Sequence, residues 1–402
     1  MITLSDKHVL VGVGGGISAY RTLELIRLLK KHGASVRPAP TRSALHFVTE
    51  LSLEALSGST CLSKPLQVEG GIISHIEEAY RANLMVVAPA TCDLLAKMAH
   101  GMADEVLLQT LLSFQGPVIV APAMETHMWQ HPATQENVAT LQKRGVIIVG
   151  PAEGDLASGR TGIGRMAEPA KILEEILYQL APKDYVGKRV IVTAGPTLEE
   201  IDPVRFISNY SSGKMGVALA RAFAHRGAQV HLVHGPLQVA IPKLNQLFSY
   251  AVKSAEQMFA QTMKLATHTD IAVLCAAVAD FRPVHVAKEK IKKADHPTHT
   301  LELEKNPDIL ASLGQLTSKP FLVGFAAETS NIITNAVQKC QDKGADLICA
   351  NDVSDKKNGF LSDTNAVIIV NREAVVKEIA QASKDEVADR ILDVVLQQVL
   401  RY

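Results

Sequence analysis

The stretch HVLVGVGGGISAYRTLELIRLLKKHGASVR, His8–Arg37, sets the architecture. His8–Val13 is an unbroken aliphatic run of strand length, and glycines 14–16 make a turn. From about Ser18 to His32 apolar residues recur at the three- and four-residue spacing of one helix face. Gly33 stops that helix, and Ala34–Arg37 resumes an extended pattern. Strand, glycine turn, helix and strand in one short stretch make a βαβ unit, the building block of a parallel α/β sheet. The rhythm continues through LMVVAPA at Leu84–Ala90, PVIVAPAM at Pro117–Met124, a helical Thr134–Arg144 closed by Gly145, and GVIIVG at Gly145–Gly150. These segments make one doubly wound domain.

After a helix near Ala170–Leu180, AlaProLysAsp at 181–184 breaks the pattern, and KRVIVTAGPT at Lys188–Thr197 restarts it. The spacing places a domain boundary there, giving domains 1–183 and 184–402. The second half reads as strand Gln229–Val233, helix Ala255–Ala266, strand Ile271–Ala276 and a charged loop at Lys288–Lys293. Further units follow at Phe321–Glu328 and Asp346–Asp352, with an added strand at Ala366–Val370 and a closing helix near Glu386–Leu400. A helix at Met215–His225 precedes them. The fold expected is α/β, two doubly wound domains.

Composition narrows the function. At 402 residues the chain is long enough for two or three domains with cores of their own. Lys plus Arg equals Asp plus Glu at 41 each, so the chain lacks the positive excess of a dedicated nucleic-acid binder. Hydrophobic residues at 47% and charged residues at 20% argue against disorder. Five cysteines without a CxxC pair fit neither a disulfide framework nor a zinc site and point to a reducing compartment. The longest apolar runs are too short to span a bilayer, and a cytoplasmic protein is expected.

The turn GVGGGISAYR at Gly12–Arg21 lies between strand and helix, where free N–H groups and a helix N-terminus favour an anion. Gly14–Ala19 satisfies a loose G-x-G-x-x-A, yet a dinucleotide site also wants an acid after the second strand. Here Pro38–Ser43 offers hydroxyls and an Arg, which suits a flavin phosphate better than an adenosine ribose. A glycine turn needed only for packing remains the plain alternative. His75, in SHIEEAY at Ser74–Tyr80, taken alone reads as a structural histidine rather than a base. Its company counts: APATCDLLAKMAHGMADEVL at Ala88–Leu107 and APAMETHMW at Ala121–Trp129 both begin at strand ends, where open α/β sheets bind ligands.

These residues resemble the homo-oligomeric flavin-containing cysteine decarboxylases. With the second half included, nearly the whole chain resembles the bifunctional phosphopantothenoylcysteine decarboxylase and phosphopantothenate–cysteine ligase family of coenzyme A synthesis. The resemblance implies an N-terminal flavodoxin-like flavoprotein domain and a C-terminal Rossmann-like ligase domain. It implies FMN held by Gly14, Ser18, Thr41, Ser43, Ala90, Thr91 and Asp93. His75 falls on the base proposed for flavin-dependent oxidation of the cysteinyl thiol. The oxidised thioaldehyde then loses carbon dioxide, and the reduced flavin returns the electrons to the ene-thiol.

Two positions depart from the family pattern. The usual P-A-M-N reads Pro122-Ala123-Met124-Glu125, where an ionised Glu125 would repel the substrate carboxylate unless it is protonated or faces elsewhere. The flap's A-C-G reads Ala157-Ser158-Gly159, and a serine hydroxyl is a far weaker acid than a thiol. The flap frame survives in Gly154-Asp155-Leu156 and Gly164-Arg165-Met166. A second reading therefore keeps the ligase beside a degenerate flavin domain, and a third makes that domain a regulatory binding module.

In the second half, VTAGPTLEEIDPVRFISNYSSGKMGVALA at Val192–Ala220 joins a strand-end phosphate turn to a second glycine-rich helix start. It resembles the ligase family's N-x-S-S-G-K-M-G segment, matched by Asn209 through Gly216. Taken alone, the lysine run KEKIKK at Lys288–Lys293 reads as a solvated face; within the family frame it neutralises a triphosphate. The resemblance implies a CTP site at Leu274, Cys275, Ala276, Asp280, Lys290, Pro307, Asp308, Ile309, Leu310, Phe325, Lys339 and Lys343. CTP would activate the phosphopantothenate carboxylate as an acyl-cytidylate, with Mg2+ bridging phosphates and no ligand residue assigned to it. Lys290 is expected to serve that step, and Asn209 the attack of cysteine's amine. The family further implies trimeric flavin domains and dimeric ligase domains, which can close into a dodecamer.

Overall fold

In the computed structural model, which describes residues 4–64, 68–69, 72–292, 300–328, 330–352 and 362–400, the opening stretch forms the expected βαβ unit. Strand β1 is His8–Val13, the helix is Ala19–Lys31, and β2 is Ser35–Pro40. The two strands run parallel in register from His8 opposite Ser35 to Val13 opposite Pro40. β2 extends beyond Arg37 through two prolines, which its place at the sheet edge tolerates because one side needs no ladder donors. The chain divides into two compact units, Thr3–Ala181 and Pro182–Tyr402.

The N-terminal unit adds β3 (Leu84–Ala90), β4 (Val118–Pro122) and β5 (Ile147–Ile148), with sheet order β2-β1-β3-β4-β5. That is the flavodoxin-like order, and its direction of growth reverses between β1 and β3. Every residue of β1 and β3 is buried, as strands covered on both faces must be. The strand expected through Met124 ends at Pro122, because Glu125 caps a short helix, Thr126–Gln130. An antiparallel hairpin, β6 (Ala152–Asp155) and β7 (Thr161–Arg165), then precedes the helix Pro169–Leu180. The flap segments of the sequence lie on this hairpin.

The C-terminal unit has an eight-stranded sheet. Its strands are β8 (Arg189–Ala194), β9 (Gln229–His234), β10 (Leu247–Ala251), β11 (Ile271–Leu274), β12 (Phe321–Glu328), β13 (Leu347–Asp352), β14 (Thr364–Val370) and β15 (Val375–Ser383). The order is β10-β9-β8-β11-β12-β13-β14-β15. The first six follow the Rossmann order and are parallel, and β14 and β15 are antiparallel additions. Strand alternation sends Val190 and Val192 to one face, against Lys214–His225 and the closing helix Lys384–Val399. Ile191 faces the other way, toward Ala255–Ala266, Ile309–Gly314 and Ile332–Asp342. At about 1.5–3 kcal/mol for each large aliphatic side chain buried, these two layers account for most of the unit's favourable free energy.

β15 is absent from the reading of the sequence. Its segment VVKEIAQAS carries charges where it meets solvent and runs directly into the helix from Lys384, so its pattern merges with the helical one. As the last strand of the sheet it shows Lys377 and Glu378 to solvent, the usual protection of an exposed edge. No helix among the described residues is long and apolar enough to cross a membrane.

Candidate functional site

Open α/β sheets take their ligands in the crevice at the carboxyl ends of the strands where the order reverses, and each unit has such a reversal. In the N-terminal unit this crevice holds a nook of about 10 Å³ lined by Gly14, Gly15, Thr41, Ser43, Thr91, Asp93, Leu94, Lys97 and Glu105. It brings together five of the expected FMN residues. Ala90 is fully buried at the end of β3, and Ser18 is the N-cap residue of the first helix; neither lines the nook.

The glycines are there because backbone must come close. A Cβ on Gly14 would lie 2.4 Å from the Pro89 carbonyl oxygen, and one on Gly15 would lie 2.2 Å from Ser43 Oγ. The Thr41 hydroxyl lies 3.1 Å from Ser43 Oγ and 3.2 Å from the Val13 carbonyl. Thr91 caps the helix Cys92–His100, its Oγ1 accepting from the Leu94 N–H at 3.2 Å. Lys97 is the cation of the nook, paired with Asp104 at 2.9 Å and Asp93 at 3.3 Å. Hydroxyls, close backbone, a helix start and one lysine are the donor types that a phosphate takes up, while Asp93 and Glu105 share the nook and its volume is about that of one water.

His75 lies outside the nook lining, partly exposed on the helix Ser74–Arg81. Ser158 is exposed in the turn of the β6–β7 hairpin, closed by the Gly159 N–H on the Leu156 carbonyl at 3.0 Å. The Glu125 carboxylate accepts the His127 N–H at 2.6 Å and caps its own helix. The hairpin base rests on this same segment. The Met124 N–H donates to the Gly164 carbonyl at 2.9 Å, and Cβ atoms on Gly162 and Gly164 would fall 2.5 Å from Thr126 Oγ1 and 2.1 Å from the Met124 oxygen.

The C-terminal crevice opens into a cavity of about 870 Å³. Asn209 lines it, and so do all the residues expected for CTP except Lys290. The loop after β11 is pinned beside β8: the Ala277 N–H donates to the Gly195 carbonyl at 2.9 Å, the Ala276 N–H to Thr193 Oγ1 at 3.1 Å, and the Ala279 N–H to Thr197 Oγ1 at 3.0 Å. Asn209 closes it from above, donating Nδ2 to the Ala277 and Val278 carbonyls at 3.1 and 3.2 Å. Gly235 permits the turn, since its Cβ would sit 1.7 Å from the Pro196 oxygen.

One wall carries Asp308, Lys339 and Lys343. Asp308 caps Ile309–Gly314 through the Ala311 N–H at 2.8 Å and takes the Lys343 ammonium at 2.7 Å. Burial pushes the Asp308 carboxyl up, but these donors outweigh it and hold it below the usual range. Burial lowers the Lys339 ammonium, which donates to the Phe325 carbonyl at 3.2 Å. The opposite wall carries Lys214, Asn365 and Lys384, and burial is also the main cause that lowers Lys384. Lys290 is exposed on a loop held at its neighbour Ile291, whose N–H reaches Asp202 at 3.2 Å and whose carbonyl accepts from Arg205 at 2.7 Å. Lys293, the last of the lysine run, lies outside the described residues.

Asn351, Asn365 and Lys384 of the cavity escaped the reading of the sequence. One signal was available: Lys384 is the first residue of its helix, where a cation opposes the helix dipole and needs another reason to be there. Among the described residues no group of three or more His, Cys, Asp or Glu side chains is arranged to hold a metal.

Residues 2–181 match the family profile described as Flavoprotein, and residues 185–399 match that of the DNA/pantothenate metabolism flavoprotein C-terminal domain. The coenzyme A biosynthesis bifunctional protein CoaBC of Vibrio cholerae is 45% identical over 99% of this chain and 100% of its own. Its Escherichia coli K12 namesake is 44% identical over 91% of each chain, and that of Bacillus subtilis 42% identical over 97% of this chain and 96% of its own. A crystal structure of the C-terminal domain of such a protein covers 55% of this chain and 100% of its own at 37% identity, with a TM-score of 0.47. Matched along its whole length by relatives that join the same two units, the chain belongs to the family of coenzyme A biosynthesis bifunctional proteins.

Proposed function

We propose that residues 184–402 join cysteine to the carboxylate of 4'-phosphopantothenate at the expense of CTP, and that residues 1–183 decarboxylate the product to 4'-phosphopantetheine. As a family member the chain is a bifunctional ligase and decarboxylase of coenzyme A biosynthesis. The observation that carries the assignment of sites is the 870 Å³ cavity, which gathers Asn209 with nearly every expected CTP residue at the reversal point of the sheet.

In the ligase step a substrate carboxylate oxygen attacks the α-phosphorus of CTP and pyrophosphate leaves. The amine of cysteine then attacks the acyl carbon, and CMP departs with the bonding pair. Lys339 and Lys343 stabilise charge on the phosphates from one wall, and Lys214 and Lys384 from the other. Asp280 would be the cavity carboxylate free to meet a Mg2+ brought by the nucleotide, since both oxygens of Asp308 are engaged by the Ala311 N–H and Lys343, and the ion would supply charge neutralisation on the phosphates. Asn209 holds the loop from Ala277 to Val278 against the reacting acyl group. Lys290, exposed outside the cavity lining, is the remaining lysine that we expect to serve the phosphates.

In the N-terminal unit the nook of Gly14, Thr41, Ser43, Thr91 and Lys97 holds the phosphate of FMN. FMN bound there supplies the two-electron oxidising capacity that decarboxylation of a cysteinyl group needs. His75 accepts the thiol proton, and the hairpin bearing Ser158 covers the substrate. Glu125, engaged with the His127 N–H, stays a cap and leaves the substrate carboxylate to other groups. Five free cysteines are consistent with a reducing cytoplasm. Trimeric flavin units and paired ligase units are the assembly we expect.

The test incubates the purified protein with 4'-phosphopantothenate, cysteine, CTP and Mg2+ and follows acyl products by mass spectrometry. Appearance of 4'-phosphopantetheine is the expected result. Accumulation of phosphopantothenoylcysteine alone would confine activity to the ligase, and no CTP-dependent product would overturn the proposal.

A further inference from the structure

Three ionisable side chains with no part in either reaction are buried together in the N-terminal unit. Glu78 is 2% exposed, His8 6% and Arg37 7%. Glu78 Oε2 lies 2.8 Å from His8 Nε2, and its Oε1 accepts from Arg37 Nη1 at 2.8 Å. His8 Nδ1 meets Ser35 Oγ at 3.0 Å, so with the ring protonated on Nε2 both of its nitrogens are used. Arg81, one turn along the helix, adds a looser contact at 3.9 Å. Burial alone would push the Glu78 carboxyl up, and its two partners pull it below its ordinary value.

The position of the cluster is what gives it meaning. Glu78 sits on the helix Ser74–Arg81, one turn after His75. His8 opens β1, whose far end leads into Gly14 and Gly15, and Arg37 lies in β2, whose far end leads into Thr41 and Ser43. The helix ends beside the start of β1, where the Asn83 N–H donates to the His8 carbonyl at 2.8 Å and Asn83 Oδ1 accepts the His8 N–H at 2.7 Å. One carboxylate thus ties the helix of the base to the two strands that present the phosphate nook.

A helix of eight residues, about 12 Å long, has little hold of its own. Its inward face is small, with Ser74 and Ala79 as the other buried residues. A buried charged cluster is poor value as a stabiliser, because desolvation offsets most of its attraction, but it is directional and defines one placement. We propose that Glu78 is a positioning residue for the N-terminal reaction, fixing the helix of His75 relative to the flavin phosphate site through His8 and Arg37. The inference rests on the reading of His75 as the base.

The experiment compares Glu78→Gln, Glu78→Asp and His75→Asn in the full-length holoenzyme, measuring bound FMN, kcat and KM for phosphopantothenoylcysteine, and ligase rate on the same preparations. Glu78→Gln is expected to lower the decarboxylation kcat about tenfold or more with KM within about twofold, an effect worth at least one decade of barrier. FMN content and ligase rate should stay at wild-type levels, and Glu78→Asp should recover part of the loss. If Glu78→Gln sheds its flavin, His8→Gln carries the same test, since it removes one partner and leaves the Arg37 pair. A wild-type kcat, or a fall matched by an equal rise in KM, overturns the inference. Full activity of His75→Asn would instead sink the reading of the base on which it stands.

Discussion

Lys343 and Asp308 form an ion pair in the ligase cavity, Nζ to Oδ2 at 2.7 Å, while the other carboxylate oxygen of Asp308 caps the helix that follows. One carboxylate therefore serves both a helix start and the orientation of a cavity-lining cation. Asp308→Asn keeps a capping oxygen and should leave stability within about 0.5 kcal/mol, whereas Asp308→Ala should cost about 1 kcal/mol. Both should raise the KM for CTP, because Lys343 loses its anchor. Thermal melts with CTP titrations of the ligase rate separate the two roles, and an unchanged KM in both variants would deny Lys343 its role.

Gly164 admits no side chain beneath the hairpin. A Cβ there would meet the Met124 carbonyl oxygen at 2.1 Å, and the hydrogen bond from the Met124 N–H to the Gly164 carbonyl fixes the pair. Gly164→Ala should destabilise the N-terminal unit by about 2 kcal/mol and depress decarboxylation, with the ligase rate intact. Parallel assays of both activities on one preparation check this. Equal loss of both would point to general misfolding.

Glu125 behaves as a cap, which makes its exchange for the family's usual asparagine mild. Glu125→Asn should keep the His127 N–H satisfied and the decarboxylation rate within about threefold of wild type, while Glu125→Ala should cost about 1 kcal/mol. Steady-state kinetics and thermal denaturation read both. A decarboxylation rate raised more than about tenfold by asparagine would mean that the carboxylate had been opposing the substrate after all.

Asp389 gives the C-terminal unit a pH dependence of opposite sign to most carboxylates. Burial lifts its carboxyl to about 6, and Arg226, the cation that opposes this rise, is already engaged by Asp184 at 2.6 Å and Asp393 at 2.7 Å. The folded state then binds more protons than the unfolded one between about pH 4 and pH 6, so this residue's contribution to stability falls as pH rises through that window. Asp389→Asn should flatten that slope and raise stability at pH 7 by about 1–2 kcal/mol. Melting temperatures from pH 4 to pH 8 for both proteins test it, and parallel curves would refute it.

Much of the fold was legible because it depends on local periodicity. His8–Val13, its glycine turn and its helix announce themselves within one βαβ unit, and the same pattern repeats down the chain. β15 was not legible, since an edge strand with Lys377 and Glu378 facing solvent, running straight into a helix, has no clear period of two. In the cavity and the nook, the family motifs named Thr41, Thr91 and Asp280, which follow strand ends, and Phe325, which lies within a strand. Asn365 and Lys384 were missed because they reach the cavity through antiparallel strands and a final helix, a proximity that no local spacing encodes. Glu78 shows the same limit. Its sequence neighbourhood reads as an ordinary helix face, and only the fold brings His8 and Arg37 to it.

The two walls of the ligase cavity come from helices on opposite faces of one sheet, and the second wall ends with Asn365 and Lys384 near the end of the chain. The six parallel strands can therefore form while part of one side of the chamber is missing, because that part is supplied by chain that comes after them. Removing residue 362 onward should leave those strands and abolish the response to CTP.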